Sequence, residues 1–363
     1  MYNFSIIDLW PYIIITLMFL LCYAYKIKNS SKILYYVLLL FCILRYDVGW
    51  DYEAYLIELE NGVDYLINSR YEPLSKLFFI TSAYVGFYPL NFFLFGWLTL
   101  LLVFKSIIYS SNQPVLSWLV YYSLPLFFFA SLSTLRQSLA TAIILYSYRY
   151  ILENKKGKFI LSILIASLFH VSGILGVLLL FIKKINFNRS INIVLFVSSF
   201  IFSFFAKDII ISILTNFLQG SVFLLRFQNY INSETDGTSI LQYLYYFFIV
   251  FNLVFYKVLI KINPRNKLLI SYVTFGVTLF NILSFEPISA TRLSAFFLIF
   301  LIFIIPDYHK VTIKKHSRII NSIIFILLIV ISFFYLNIYI KNYENAVLEK
   351  VSFLPYKTWI NNL

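Results

Sequence analysis

Charged side chains are scarce in this chain. Only 12% of its 363 residues are Asp, Glu, Lys or Arg, against about 25% in an ordinary soluble domain. There are two cysteines, Cys22 and Cys42, and both lie inside apolar runs, so a disulfide framework is not expected. Histidine occurs three times. With no HExxH, no cysteine cluster and no EF-hand pattern, neither a protein metal site nor a cofactor is expected. No Walker A or other glycine-rich nucleotide loop is present, which argues against a nucleotide substrate. Repeats, low-complexity tracts and Gly/Ser linkers are also missing, so residues 1–363 read as a single integral membrane domain. Met1–Tyr25 has neither a basic start nor a small-residue cleavage site, and it reads as a first span rather than a removable leader.

Apolar residues are present in excess, at 61% of the chain. One soluble core cannot hide that surplus, and lipid must solvate it. Crossing the hydrocarbon takes about 20 apolar residues per helix. Runs of that order recur at Leu9–Tyr25, Ile33–Leu44, Leu74–Tyr88, Leu90–Ile108, Val115–Ala130, Leu135–Leu152, Phe159–Ile182, Ile191–Ala206, Ile240–Ile260, Leu268–Phe285, Ile288–Pro306 and Ile319–Ile340. The short run Ile209–Leu218 reads as interfacial or as part of another span. The expected fold is therefore all-α, a polytopic transmembrane bundle of about 10–12 membrane segments. The 40 Phe, 30 Tyr and 5 Trp are mostly lipid-facing bulk and interfacial belt.

The net charge of +13 comes from clusters between the apolar runs. These are Lys26/Lys28/Lys32, Lys155/Lys156/Lys158, Lys183/Lys184/Arg189, Lys257/Lys261/Arg265/Lys267 and Lys310/Lys314/Lys315/Arg318. Cytoplasmic loops carry the excess of Lys and Arg, so these clusters set orientation and nucleic acid is not a partner. Seven of the 16 acids lie between Arg45 and Glu72, which places 45–71 on the outer face. Four apolar runs then separate that face from Lys155, and only an odd number of them may cross. Segment 74–88 contains Lys76 and is bounded by Pro73, Gly86 and Pro89, so it is a candidate re-entrant segment. Segment 159–182 has cations at both ends and is a second candidate, breaking near His170–Gly173.

Four places carry candidate chemistry. The first is Arg45-Tyr-Asp47-Val-Gly49-Trp50-Asp51-Tyr-Glu53-Ala-Tyr55. Here Asp51 is expected to cap a helix beginning at Tyr52, with Tyr52, Tyr55, Leu56 and Leu59 as its apolar stripe and its acids facing water. Arg45 pairs with Asp47 in the simplest reading. Second is Arg136-Gln137, opening a span, because an arginine in an apolar helix is costly and marks function by default. Snorkelling at a helix end is its bland explanation. The third is His170 in Ser-Leu-Phe-His-Val-Ser-Gly, a proton carrier, a hydrogen-bond donor or a satisfied core residue. The fourth comprises Arg226 and Arg292, at outer ends of apolar segments. Arginines gathered on one face suit a diphosphate, which they bind bidentately without losing charge. Trp50 and Tyr52 are candidate sugar contacts. The C-terminal Leu348–Trp359 reads as an interfacial aromatic anchor.

In combination these residues resemble the EpsG family, Wzy-like polymerases of bacterial exopolysaccharide and O-antigen. The resemblance rests on Arg45-x-Asp47-x-Gly49-x-Asp51-x-x-x-Tyr55, Tyr71-Glu72-Pro73, Arg136-Gln137, Ala166-Ser-Leu-Phe-His170, Arg226 before an aromatic stretch, and Ser-Ala-Thr-Arg292. It covers about residues 45–292, and Val171 after His170 is a departure from it. It implies an enzyme of the bacterial cytoplasmic membrane. Such an enzyme joins polyprenyl-diphosphate-linked oligosaccharide units into a surface polysaccharide (O-antigen, capsule or exopolysaccharide) and releases polyprenyl diphosphate. No nucleotide sugar and no obligatory metal is expected.

That chemistry needs charge on the leaving group stabilised and a base for the attacking hydroxyl. Arg136, with Arg226 and Arg292, is the expected diphosphate ligand. Asp51 or Glu72 is the expected base, with His170 next, and Arg45 either contacts diphosphate or holds Asp51. Gln137, Tyr55 and Trp50 complete the expected glycan-binding set. Partners are the lipid-linked oligosaccharide and the bilayer, with chain-length regulator and flippase proteins as candidates. Competing readings are a flippase for the same unit, a ligase, and a glycosyltransferase using a polyprenyl-linked sugar.

Overall fold

The computed structural model describes residues 9–218, 240–311, 316–345 and 353–362. Among the described residues the fold is almost wholly helical, as expected, and the chain falls into two compact units, Val177–Val311 and the remainder on either side of it.

The first unit contains α1 (Trp10–Ala24), α2 (Ser30–Leu44), α3 (Tyr52–Glu60), α4 (Gly62–Ile67), α5 (Pro73–Val85), α6 (Pro89–Ser110), α7 (Pro114–Ser123), α8 (Phe128–Ser133), α9 (Leu135–Leu152) and α10 (Lys156–Phe169). Three of these begin at a proline, whose missing N–H is no loss in a first turn that leaves its amides unpaired anyway. α6 packs against α2 and α9, and α9 packs against α10. Trp118, Tyr122, Phe128 and Phe129 are fully buried, and the Trp118 indole donates to Ser31 Oγ at 2.9 Å. Cys22 and Cys42 are free and buried.

Four expected segments are broken, Val115–Ala130 and Phe159–Ile182 among them. Val115–Ala130 is not one helix: α7 ends where Leu124 turns extended (ψ 122°), and α8 starts at Phe128. The cause is Pro125, whose ring excludes helical geometry at the preceding residue. Segment 159–182 breaks where the sequence indicated. α10 stops at Phe169, His170 is extended, and a 3-10 turn covers Val171–Val177. That turn lies so close to α10 that a Cβ on Gly173 would sit 2.8 Å from the Ala166 carbonyl carbon. The 13 residues of α5 reach about 20 Å at 1.5 Å each, short of the roughly 30 Å hydrocarbon core.

The C-terminal stretch is pinned to the protein rather than acting only as an anchor. β1 (Arg45–Tyr46) pairs antiparallel with β2 (Lys357–Thr358). The Tyr356 hydroxyl donates to Phe41 O at 2.7 Å and the Trp359 indole to Ile43 O at 2.9 Å. Both acceptors belong to the last turn of α2, where helix carbonyls have no partner of their own. α18 (Ser317–Asn345), numbered after the helices of the second unit, packs against α7.

The second unit holds α11 (Leu178–Ile185), α12 (Arg189–Leu218), α13 (Ile240–Val254), α14 (Tyr256–Ile262), α15 (Asn266–Ile282), α16 (Pro287–Leu298) and α17 (Leu301–Ile304). Ile209–Leu218, read as interfacial or as part of another span, continues α12. α15 packs against α12, α13 and α16. Its Asn281 Nδ2 donates to Ser199 Oγ at 2.7 Å, and its Oδ1 accepts from Gln242 at 3.2 Å and from the Tyr246 hydroxyl. Such uncharged cross-links hold helices together where lipid supplies no hydrophobic drive.

Among the described residues three helices are long and apolar enough to cross a membrane alone: Pro89–Ser110, Arg189–Ile213 and Ser317–Leu336. Two bent pairs, Gln242–Val254 with Tyr256–Ile262 and Pro287–Leu298 with Leu301–Val311, bring the number to five if each is one span. Among the described residues the other apolar helices fall short of that test in length or in hydropathy.

Candidate active site

The Arg45–Tyr55 motif builds a braced loop. Arg45 is 2% exposed. Its Nη1 donates to Val48 O at 2.9 Å and also to Leu132 O. The guanidinium lies 5.5 Å from the Phe92 ring centre and 5.9 Å from that of Tyr52. Asp47 reaches Lys357, at 3.7 Å, rather than serving as the ion-pair partner of Arg45. Gly49 has φ +114°, and a Cβ there would sit 2.2 Å from Leu132 O. The Trp50 amide donates to Ser133 Oγ at 3.0 Å, while its side chain is exposed. Tyr52 is buried and stacked on Phe92 at 4.1 Å, so it is core and not a sugar platform.

Asp51 stands at the N-cap of α3, which begins at Tyr52 as expected, but its side chain makes no capping bond. The predicted stripe is buried at Tyr52, Tyr55 and Leu59. The acids do not all face water. Glu53 and Glu60 are exposed, whereas Glu58 is half-buried.

The second motif set converges on Arg136, on the first turn of α9. Its Nη1 lies 2.5 Å from Glu72 Oε2, with the two side chains 21% and 16% exposed. The guanidinium covers the Tyr71 ring at 4.4 Å and hydrogen-bonds to Tyr55. Its Nε is buried with no hydrogen-bond partner among the described residues. Glu72 is the N-cap residue of α5 but makes no cap bond. Its other oxygen, Oε1, accepts the Val171 amide at 3.0 Å. That carboxylate thus ties the arginine to the turn carrying His170, whose Nδ1 lies 2.6 Å from Ser172 Oγ. One helical turn along α5, Ser75 Oγ donates to Phe169 O at 2.6 Å, fixing the same turn from a second point. Tyr71 packs on Phe79 at 4.5 Å, and its phenol interacts electrostatically with the Glu58 carboxylate. Burial, reinforced by the nearby Glu58 carboxylate, holds its phenol well above the usual range.

The structure therefore brings together Tyr55, Glu72, Arg136 and the His170 turn. It adds Glu58, which the sequence reading passed over although Tyr55 and Glu58 are an i,i+3 pair facing one way on a helix. Gln137, beside Arg136, is buried in α9. Arg292 lies in α16 of the second unit, half-buried, and Arg226 lies outside the described residues. The cluster combines one arginine, two carboxylates, two phenols and an imidazole in a half-buried setting. It has the means to bind an anion and to accept a proton.

The apolar helices and this charged cluster define a polytopic helical membrane protein with a built polar site. The model of the EpsG family matches residues 31–358, from the start of α2 through β2. The chain belongs to the EpsG family, which is associated with polysaccharide biosynthesis. Searches of curated proteins and of solved structures return no match.

Proposed function

We propose that the protein is a polysaccharide polymerase of the bacterial cytoplasmic membrane, joining polyprenyl-diphosphate-linked oligosaccharide units at its outer face. The observation that carries this reading is Arg136, a half-buried cation with an unpartnered Nε, set beside groups able to take a proton. A sugar hydroxyl of the incoming unit attacks the anomeric carbon of the growing chain. The bond to the diphosphate oxygen breaks, and polyprenyl diphosphate leaves with the electron pair. Arg136 binds the diphosphate and stabilises the charge that grows on it. Glu72 balances Arg136 and holds the His170 turn against it. Arg292 and Arg226 are proposed further contacts for the anion, and Gln137, Tyr55 and Trp50 for the glycan. Arg45 braces the 45–51 loop that carries Asp51. The outward orientation is supported by the basic clusters, which the positive-inside rule assigns to the cytoplasm.

The test is complementation of a strain lacking the gene, with surface glycan separated by length. Wild type should restore long chains, and Arg136→Ala should lose them, a drop on the order of 10²-fold or more in rate. Full-length chains held on the lipid carrier in the deletion strain would indicate a ligase, and units trapped inside would indicate a flippase. A normal glycan ladder with Arg136→Ala would remove the arginine from the reaction.

A further inference from the structure

The attacking hydroxyl must lose a proton, and the residues expected to take it are poorly free to do so. Both oxygens of Glu72 are committed, Oε2 to Arg136 and Oε1 to the Val171 amide. His170 Nδ1 is engaged by the Ser172 hydroxyl and lies 3.4 Å from the Ser172 amide. Asp51 is at the other end of α3 from Glu58, on the braced loop.

Glu58 differs from each of these. It is half-buried, while Glu53 and Glu60 on the same helix are exposed. Its Oε2 is buried without a hydrogen-bond partner among the described residues. Its carboxylate acts electrostatically on the Tyr71 phenol. Tyr71 in turn is locked between the Phe79 ring at 4.5 Å and the Arg136 guanidinium at 4.4 Å. The hydroxyl that enters and the diphosphate oxygen that leaves share one anomeric carbon, so proton acceptor and arginine must be neighbours. Tyr71 is the side chain that stacks on Arg136 and interacts with a carboxylate whose Oε2 is unpartnered among the described residues.

Resting on the polymerase reading, we infer that Tyr71 and Glu58 form the proton relay of the reaction and that Glu72 is the clamp of Arg136. As the new glycosidic C–O bond forms, the acceptor hydroxyl passes its proton to Tyr71 Oη. Tyr71 passes its own proton to Glu58, and the electron pair of the broken bond leaves on the diphosphate. A neutral phenol is the form that can receive and donate in one movement, and its half-buried setting beside a carboxylate keeps it neutral. Glu58 acts through Tyr71 and is a positioning and proton-storing residue, whereas Tyr71 is the group placed to face the hydroxyl.

The experiment uses the full-length protein in lipid nanodiscs and the lipid-linked single units extracted from a strain lacking the gene. Binding of those units and the elongation rate are measured across pH for wild type, Glu58→Gln, Glu58→Asp, Tyr71→Phe and Glu60→Gln. Glu58→Gln keeps the shape and an acceptor for Tyr71. It should bind normally yet elongate on the order of 10²-fold more slowly, with the acid limb of its pH–rate profile gone. Tyr71→Phe should match it, Glu58→Asp should recover part of the rate and restore the acid limb, and Glu60→Gln should equal wild type. A Glu58→Gln protein with wild-type rate and pH profile overturns the relay alone. So does one whose loss is wholly in binding. If wild type binds the units but never elongates them, the polymerase reading falls, and the relay falls with it.

Discussion

Alanine in place of Gly49 should damage the motif loop without touching any group that contacts substrate. Two costs arise. At φ +114° an L side chain is strained by about 1–2 kcal/mol. The new Cβ would lie 2.2 Å from Leu132 O and 3.3 Å from Arg45 Nη1, so the loop must move off α8. That movement breaks the bond from Arg45 to the Leu132 carbonyl, a charged hydrogen bond whose loss costs about 1.5–3 kcal/mol. Together the loss is about 2.5–5 kcal/mol. At about 2–4 °C per kcal/mol for a unit of this size, the melting point falls by roughly 10 °C. Gly62→Ala is the matched control, because Gly62 also has positive φ, +86°, but nothing lies within 4 Å of the added carbon. It should cost only the conformational part, about 1 kcal/mol. The assay is thermal loss of the monodisperse protein in detergent, with surface-glycan length read in cells. Equal melting of the Gly49→Ala and Gly62→Ala proteins would refute the close-approach argument.

Glu72→Gln should strip Arg136 of its counter-ion and lower stability by about 2–3 kcal/mol, while the double variant with Arg136→Met should cost less than the sum of the singles; additive melting shifts would mean the pair is not coupled. Asn281→Leu in α15 should leave Gln242, Tyr246 and Ser199 without their shared partner, a loss of about 1–2 kcal/mol by thermal melting, and an unchanged midpoint would show that these bonds carry nothing. At the C-terminal clasp, Trp359→Phe removes the donor to Ile43 O and should cost about 1 kcal/mol. Lys357→Ala removes a long 3.7 Å pair whose lysine is half-exposed, and its melting curve should overlay that of wild type.

Much of the architecture was legible as apolar runs, because lipid-solvated helices must be continuous in hydropathy. Their ends were less so. The break at His170 could be read from Ser-Leu-Phe-His-Val-Ser-Gly, where polar and flexible residues interrupt the run. The break at Leu124 was missed because Pro125 is flanked on both sides by strongly apolar residues, which hydropathy alone joins into one helix. Arg136 and Glu72 were both singled out as candidates, yet their pairing spans 64 residues, and no local pattern encodes it. Arg45 was drawn toward a ligand role by its neighbours Asp47 and Asp51. Its real acceptors are carbonyls, one of them 87 residues away on Leu132. Asp51 has the chemistry of a cap and the position of one, but the braced loop before it, with Asp47 and Gly49 at positive φ, fixes its backbone in a geometry that turns its carboxylate off the first-turn amides. Glu58 was overlooked because acids on an amphipathic helix were all assigned to the wet face. The i,i+3 spacing from Tyr55 was the available signal.

The most direct measurement of the central claim is a single reaction with purified protein in nanodiscs and lipid-linked single repeat units as the sole glycan. Products are followed by mass spectrometry. The account predicts lipid-linked dimers and higher oligomers, each step releasing one polyprenyl diphosphate, with none formed by Arg136→Ala. Units that are bound but never joined, or equal elongation by Arg136→Ala, would contradict it.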